Sequence, residues 1–303
     1  CLVGSEMCIR DRFNTLQGLA QLGFLALPLG LTMIAGEFDV SVVGVSALGG
    51  MVAVQLGQEQ PLLGVGLAVL AGVAVGLLQG AIIAKLRLAS MPVTIATYIA
   101  LLGLTSVMSG GLTVTYTNVQ ASLFVDQVIL GIFSPRSLTI IALFVLAAVV
   151  LGSSRLGPEL RAIGDDRRAA RVSGVPVDGR VIGLFAASGA IAALGGALLS
   201  FSYSSANPNP GIQPLVLAAV AALIGGISLS GGRGTAVGLF VGAISVALLS
   251  QIVIFANLPG YVTQLIFATF LALVVLGDAP GLRARVSTVT SRLRANRKLR
   301  GSA

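Results

Sequence analysis

Long stretches without a charged residue limit what this chain can fold into. Uncharged stretches of 24, 19 and 25 residues end at Glu37, Glu59 and Lys85, and two later stretches reach 52 and 44 residues. A helix needs roughly 20 apolar residues to cross the hydrocarbon core of a bilayer. With 10% charged residues and a mean hydropathy of +0.97, the chain has the composition of a membrane protein.

Helix-breaking residues divide the two longest uncharged stretches. The first contains "NPNPG" (207–211) and the second contains "NLPG" (257–260), and Pro and Gly end helices and turn the chain. The sequence therefore predicts an all-α, polytopic membrane protein with about nine transmembrane helices. The predicted spans are 16–35, 40–56, 62–84, 92–110, 137–153, 181–203, 214–228, 235–256 and 260–277.

Basic residues in the loops predict the orientation of the spans. Lys85 and Arg87 mark one loop, residues 153–180 carry six arginines, and the tail 281–303 carries seven Lys or Arg. If all three segments are cytoplasmic, even numbers of spans must separate them, and the predicted spans satisfy this condition. We therefore expect a cytoplasmic C-terminus, with the basic tail near anionic membrane lipid. Topology alone explains the charge of this tail, so no nucleic-acid partner is expected.

The first twelve residues, "CLVGSEMCIRDR", differ from the rest of the chain. They hold both cysteines, Cys1 and Cys8, and four charged residues. They resemble a translated sequencing-library adapter, and we expect residues 1–12 to be non-native. The orientation above puts residue 13 outside the cell, so a tenth, first helix is expected to be missing by truncation. The expected domains are then this segment, a transmembrane domain over 13–280 and the tail 281–303.

Three polar segments interrupt the apolar pattern, and the first is "GEFDVSVVG" (36–44). Glu37 and Asp39 lie between two apolar spans, where acidic groups are costly unless they face water or a partner. Such residues are candidates for a functional role. Alternatively, Asp39 caps a helix that starts at Val40. Both interpretations hold together if a broken helix lines a cavity.

The second polar segment is the loop 153–180, which carries four acids and six bases. Pro158 suits a helix start, Asp165 and Asp166 favour a second helix start, and Gly174 suits a helix end. The segment therefore predicts one or two short helices at the membrane face. Its mixed charge fits a protein-docking surface, and a solvated loop is the alternative.

The third segment, "GGISLSGGRGT" (225–235), is rich in glycine. It lacks the Lys that a phosphate-binding loop needs, because Gly232 occupies that position, so we predict a tight turn and no ATP binding. Other glycines recur at a spacing of four, which places them on one helix face and predicts close helix packing. These are Gly72, Gly76 and Gly80 in one span, and Gly234, Gly238 and Gly242 in another.

At these three segments the chain resembles the permease subunits of bacterial ATP-binding-cassette (ABC) importers for monosaccharides, the ribose, xylose and arabinose branch. Residues 36–50 are similar to a family stretch that consists of Gly, the acidic "D-L-S-V" and then small residues. Residues 224–234 match the family pattern "I-G-G-x-S-L-x-G-G-x-G". The chain departs from the family at Arg168, where an acid is usual, and by one additional residue in "DVSVVG". The loop pattern "A-I-G-x-x-x-x-A-A-R-x-S-G-I" is matched by Ala162, Ile163, Gly164, Ala169, Ala170, Arg171, Ser173 and Gly174.

The resemblance implies a non-catalytic membrane subunit of an importer in the bacterial plasma (inner) membrane. Its partners would be ABC ATPase subunits, a second permease copy or a related permease, and an extracytoplasmic sugar-binding protein. No cofactor or metal is expected in this chain. Residues 158–174 would form the helix that couples to the ATPase, with Arg161 beside the matched residues above. Candidates for the substrate pathway are Glu37, Asp39, Ser41, Asn207 and Asn209.

Two other classes of protein are alternatives to this one. An ion-gradient-driven secondary transporter would have to use Glu37 and Asp39, because no other span carries a buried acid and the chain has no His. A membrane-embedded enzyme would need a nucleophile or clustered carboxylates. With both cysteines in the first twelve residues and no His, a thiol nucleophile, a Cys/His metal site and a His-based triad are excluded.

Overall fold

A computed structural model describes residues 5–256 and 259–278 of the chain. The basic tail predicted over 281–303 lies outside these residues. Most of the described chain is helical. The elements in chain order are α1 (Ser5–Ile34), α2 (Val42–Leu56), α3 (Pro61–Leu86), α4 (Ser90–Ser109), β1 (Val114–Thr115), α5 (Val119–Val125), α6 (Pro135–Ser153), α7 (Leu156–Asp165), α8 (Arg167–Val172), α9 (Val177–Ser202), β2 (Ser205–Ala206), α10 (Gln213–Ile224), α11 (Ala236–Phe255) and α12 (Gly260–Asp278).

The prediction of an all-α polytopic membrane protein is confirmed. Six helices in the described residues are long and apolar enough to cross a membrane: α1 from Arg10, α3, α4, α6, α9 and α11. Helices α2 and α10 are apolar but only 15 and 12 residues long. The predicted number of nine spans is therefore not confirmed by length alone, although each predicted span overlaps one helix.

Local sequence signals set several helix ends. Pro61 opens α3, and Pro135 opens α6 behind a capping box between Ser134 and Ser137. The Thr235 side chain accepts a hydrogen bond from the Gly238 amide at the start of α11. Several predicted boundaries were wrong. Helix α2 begins at Val42, two residues after the expected Val40, because residues 40 and 41 form a turn. Helix α9 begins at Val177, four residues before the predicted start at 181, and α10 ends at Ile224, four residues before the predicted end at 228.

Glycines bring three helices of the bundle into backbone contact. A methyl group added at Gly72 or Gly76 of α3 would overlap a carbonyl of α9, and one at Gly80 would lie 2.9 Å from Ile182 Cα. On α2, a methyl group at Gly49 would lie 2.6 Å from Ala193 Cα. Because lipid tails are as apolar as Leu, close packing of this kind holds membrane helices together.

The second glycine run behaves differently along its length. A methyl group added at Gly242 would overlap the Ala221 carbonyl of α10, and one at Gly238 would overlap the Gly225 carbonyl. Gly234 lies before α11 in the connecting loop, with a φ of 139°, so it is not part of the helix face. The described chain divides between residues 257 and 258, and the second unit contains α12.

The loops of the first unit meet at two opposite ends of the bundle. At one end, which we call the hairpin end (57–60, 110–134 and 203–212), β1 pairs antiparallel with β2, with Val114 opposite Ala206. The Tyr116 hydroxyl donates to the Gly57 carbonyl at 3.0 Å, and its ring stacks on Phe201. The other end, which we call the glycine end, comprises 35–41, 87–89, 154–176 and 225–235. The loops predicted to be cytoplasmic in the first unit therefore share one end.

Candidate functional site at the glycine end

The loop 153–180 lies at the glycine end and contains two short helices, α7 and α8. The Asp166 carboxylate accepts hydrogen bonds from the Arg168 and Ala169 amides at 2.7 and 3.1 Å, and so caps α8. These amides hold the pKa of Asp166 below its usual value. Gly174 follows α8 with a φ of 85°, which favours glycine. The prediction of one or two short helices is confirmed, and the number is two.

The three polar segments meet at this end. Gly36, Gly164 and Gly231 approach so closely that a methyl group at Gly36 would lie 3.2 Å from Gly164 Cα, and one at Gly231 would lie 2.9 Å from the Gly164 carbonyl oxygen. The Gly232 amide donates to the Ile34 carbonyl at 3.0 Å. Gly36 and Gly231 both have positive φ. Glycine is required here by backbone contact between three loops, and so α7 is fixed to the end of α1.

An ion pair joins the first polar segment to α8. Glu37 contacts the Arg167 guanidinium, and its side chain is 6% exposed whereas that of Arg167 is 34% exposed. Glu37 lies beyond the last residue of α1, beside a cavity of about 450 Å³ that Ser90 also lines. Burial raises the pKa of the Glu37 carboxyl, and Arg167 opposes that rise. Each displacement of α8 must carry this carboxyl with it or break the pair.

Because Glu37 is more deeply buried than Arg167, we predict that neutralising Arg167 lowers stability more than neutralising Glu37 does. Arg167→Gln leaves Glu37 buried without a counter-charge, and we expect a loss of about 3 kcal/mol in the free energy of unfolding. Glu37→Gln leaves Arg167 free to reach water, and we expect a loss below about 1 kcal/mol. Thermal unfolding in detergent measures both.

The pH dependence of Arg167→Gln provides a second measurement. Without Arg167 the pKa of Glu37 rises further above the unfolded value, since the opposing charge is gone. Between the pKa of Glu37 in the unfolded chain and its higher pKa in the folded protein, the folded protein binds more protons than the unfolded chain. The free energy of unfolding therefore declines as the pH rises through this range. Equal losses for the two variants at every pH would contradict this explanation.

The residues predicted to couple to an ATPase divide into two faces. Ile163 and Ala170 are buried against the bundle, and the Arg161 Nε donates to the Gly234 carbonyl at 3.4 Å. The opposite face is open to solvent and contains Val172, which is 90% exposed. The exposed residues of the predicted set are Ala162, Ala169, Arg171, Ser173 and Gly174.

Asp39 lies deeper in the bundle and joins three helices. Its Oδ1 accepts from the Ser41 amide, the Ser41 hydroxyl and Gln79 of α3 at 3.0, 2.6 and 3.1 Å, and its Oδ2 accepts from Ser188 of α9 at 3.0 Å. Asp39 is 3% exposed and Ser41 is 1% exposed. Gln79 lies seven residues before the end of α3, which is about 10 Å along the axis. Three residues thus direct four hydrogen-bond donors at this one carboxyl.

The five pathway candidates do not form one cluster. Asn207 and Asn209 are exposed at the hairpin end, and the Asn207 Oδ1 accepts from the Asn209 amide at 2.9 Å within a turn. Glu37 pairs with α8, whereas Asp39 and Ser41 bond to each other. The structure thus separates one candidate beside α8, two inside the bundle and two at the far end.

Sequence reasoning missed several residues at these sites. Gln79 and Ser188 each interrupt a long apolar run, and a lone polar side chain within a span is a signal that could have identified them. Val172 was missed because an apolar residue in a predicted helix is normally expected to be buried. Its exposure follows from the short length of α8, which buries only Ala170.

The fold and the site define a polytopic helical membrane protein in which the loop 154–176 between two spans forms two short surface helices. A family model described as the permease component of branched-chain amino acid transport systems matches residues 12–276. The chain belongs to this family of transport-system permeases, and the resemblance drawn from the three motifs is confirmed.

Several curated relatives are similar over most of their length. The ribose import permease protein RbsC of Escherichia coli K12 is 32% identical over 89% of this chain and 86% of its own. The L-arabinose ABC transporter permease protein AraH of Azospirillum brasilense is 30% identical over 89% and 80%. The autoinducer 2 import system permease protein LsrD of Escherichia coli O9:H4 is 26% identical over 92% and 86%. No solved structure gives a significant match.

Proposed function

We propose that this chain is the membrane-spanning permease subunit of an ABC importer for a monosaccharide, without a catalytic centre of its own. Two relatives at 30% identity or more are named as permeases for ribose and for L-arabinose, and this chain covers at least four-fifths of each. The cargo class is carried over from those names. Separate ATPase subunits would supply the energy, and an extracytoplasmic binding protein would deliver the sugar.

The solvent-facing side of α7 and α8 is the observation that carries this proposal. The buried side of the segment is held by the Gly36–Gly164–Gly231 contact and by the Glu37–Arg167 pair. The free side presents Val172, Arg171 and Ala169 to solvent. A segment that is fixed to the bundle on one side and exposed on the other can transmit a push from an ATPase to the spans.

The membrane topology follows as part of the proposal. We propose nine crossings, with α2 and α10 spanning together with the non-helical residues at their ends. The glycine end, which carries Lys85, Arg87 and the arginines of 153–180, would face the cytoplasm of a bacterial cell. The chain would lie in the plasma (inner) membrane. If α10, α11 and α12 are the last three crossings and α10 starts outside the cell, the C-terminus is cytoplasmic.

Two further partners follow from this orientation. The sugar-binding protein would dock at the hairpin end, which presents Asn207 and Asn209. A second permease, either another copy or a related chain, would complete the pathway. Several large apolar side chains of α3 and α4 are exposed, which fits contact with lipid or with that second permease: Leu70, Leu78, Ile99 and Val107.

The ion-gradient-driven transporter is a weaker candidate on the geometry of its two acids. A carrier of this kind must expose a carboxyl to bind and release an ion. Asp39 is 3% exposed with its oxygens accepting from four donors, and Glu37 is held by Arg167. The two carboxyls bond to different partners, and none of the relatives described above is named as a gradient-driven carrier.

Co-purification with the ATPase tests the docking proposal. The full chain is co-expressed with the ATPase gene adjacent to its own, and Val172→Glu should reduce the recovered ATPase at least tenfold, because it puts a charge at the centre of a desolvated contact. Leu130→Glu is the matched control, since Leu130 is 88% exposed at the hairpin end and should retain the ATPase.

Recovery of the ATPase in equal amounts with Val172→Glu and wild type would refute docking through α8. Gly164 is unsuitable for this test. A side chain there would overlap the Ile34 carbonyl and disturb the permease itself.

A further inference from the structure

A second cavity, of about 420 Å³, opens within the bundle away from the glycine end. Its walls come from five helices, α1, α2, α9, α10 and α11. It lies beside the first residues of α10 and the last two turns of α11, which are the hairpin-end parts of those helices. The polar side chains that line it are Gln21, Ser46, Gln213, Ser250 and Gln251, and the apolar ones include Leu22, Leu25, Val43, Leu199, Leu217 and Ile254.

Gln21 is the residue that most needs an explanation. It lies at the centre of the span Arg10–Ile34, and its side chain is exposed although this span is otherwise largely buried. Within the described residues, no hydrogen bond or ion pair engages its amide. An unpartnered amide facing hydrocarbon at mid-span loses both its donors and its acceptor. Gln21 therefore faces water, a solute or another protein chain.

The other polar groups of this cavity also keep free hydrogen-bonding capacity. Ser46 and Gln213, like Gln21, have no partner among the residues described. Gln251 Nε2 donates to the Asn14 carbonyl at 3.0 Å, and Ser250 Oγ donates to the Val246 carbonyl at 2.9 Å. Both side chains thus retain an acceptor oxygen that the described chain leaves unused.

The lining of the cavity contains amides and hydroxyls but no charged side chain. Amides and hydroxyls both donate and accept, which matches the hydroxyl groups of a neutral sugar. The leucine and valine walls match its C–H faces. A volume of this order with mostly apolar walls and a few convergent polar groups is typical of small-molecule sites.

We infer that this cavity, lined by Gln21, Ser46, Gln213, Ser250 and Gln251, binds a neutral polyhydroxylated solute on its way through the permease. This inference rests on the proposed function, and it replaces Glu37, Asn207 and Asn209 as the residues expected to contact the sugar. It assigns the recognition to uncharged amides in the half of the bundle that a binding protein would face.

Cysteine labelling tests the cavity without knowledge of the cargo. Gln21→Cys is made in a chain in which Cys1 and Cys8 are replaced by Ser, within the full importer in membrane vesicles. A charged, membrane-impermeant thiosulfonate is the probe. Leu70→Cys is the matched control, since Leu70 is 64% exposed within the span Pro61–Leu86. We expect Gln21→Cys to react about tenfold faster or more, because thiolates form in water but not in hydrocarbon.

Uptake kinetics test the identity of the solute. Radiolabelled D-ribose, L-arabinose and D-xylose are supplied separately to vesicles that contain the complete importer. For the pentose that wild type transports, Gln21→Leu and Gln213→Leu should each raise the KM about tenfold, because each removes hydrogen bonds to the solute. Leu70→Ala should leave the KM unchanged.

Each negative result of these two experiments contradicts a different statement. Labelling of Gln21→Cys as slow as that of Leu70→Cys overturns the inference, because lipid or protein then covers Gln21. An unchanged KM in both Gln→Leu variants also overturns it while the proposed function stands. If wild type takes up none of the three pentoses although Gln21→Cys labels rapidly, a cargo among these pentoses is excluded and the water-filled cavity remains.

Discussion

Gly76→Ala should destabilise the protein more than any other single methyl group added to α3. The new Cβ would overlap the Phe185 carbonyl, and this contact is between two backbones, so neither partner can rotate away. Helices α3 and α9 must then separate along their whole interface. We expect a loss of about 3 kcal/mol or more in the free energy of unfolding, measured as thermal unfolding in detergent.

Gly66→Ala is the control for this prediction on the same helix. A methyl group at Gly66 meets no atom within 4 Å. Alanine is the better helix former by about 1 kcal/mol, so this variant should be unchanged or slightly more stable. Gly76→Ala as stable as Gly66→Ala would mean that α3 and α9 do not approach as described.

Asp39→Ala should have the second large effect, because it removes the acceptor of four hydrogen bonds at once. Gln79, Ser188 and Ser41 would be left with buried donors that lack a partner. Each unsatisfied buried donor costs about 1–3 kcal/mol, and we expect a total loss of roughly 3 kcal/mol or more in the free energy of unfolding. Thermal unfolding of the purified permease measures this loss.

Asp178→Ala controls for the loss of a carboxylate as such. Asp178 pairs with Arg171 at 2.7 Å, but its side chain is 50% exposed, and such pairs contribute little to stability. An Asp39→Ala protein that unfolds like wild type yet transports no sugar would assign Asp39 to the pathway instead. A protein that loses both properties together supports the structural role.

The spans were the most predictable part of this molecule. Long uncharged runs predicted the long helices, because backbone groups in the lipid core must form hydrogen bonds within the protein. Pro and Gly residues predicted the turn at 207–211. The boundary at Asp39 was harder. A capping residue next to an apolar run usually starts the helix at once, but here the carboxyl bonds to α3 and α9, and the helix starts at Val42.

The clusters of the candidate site were predictable only in part. Each of the three polar segments could be read from its own residues, but their contact through Gly36, Gly164 and Gly231 depends on how distant spans pack. The Glu37–Arg167 pair joins residues 130 positions apart, so no local pattern reveals it. For the same reason the neutral cavity around Gln21 has no signature in the sequence. The assignment of residues 1–12 to an adapter stays a prediction.

ATP-dependent uptake by the reconstituted importer tests the central claim most directly. The permease is placed in vesicles with its ATPase and binding protein, and radiolabelled pentose is measured with and without ATP in the presence of ionophores that dissipate proton and sodium gradients. We expect uptake that requires ATP and the binding protein and is unaffected by the ionophores. Uptake that proceeds without ATP and stops with the ionophores would contradict the ABC importer and establish a gradient-driven carrier.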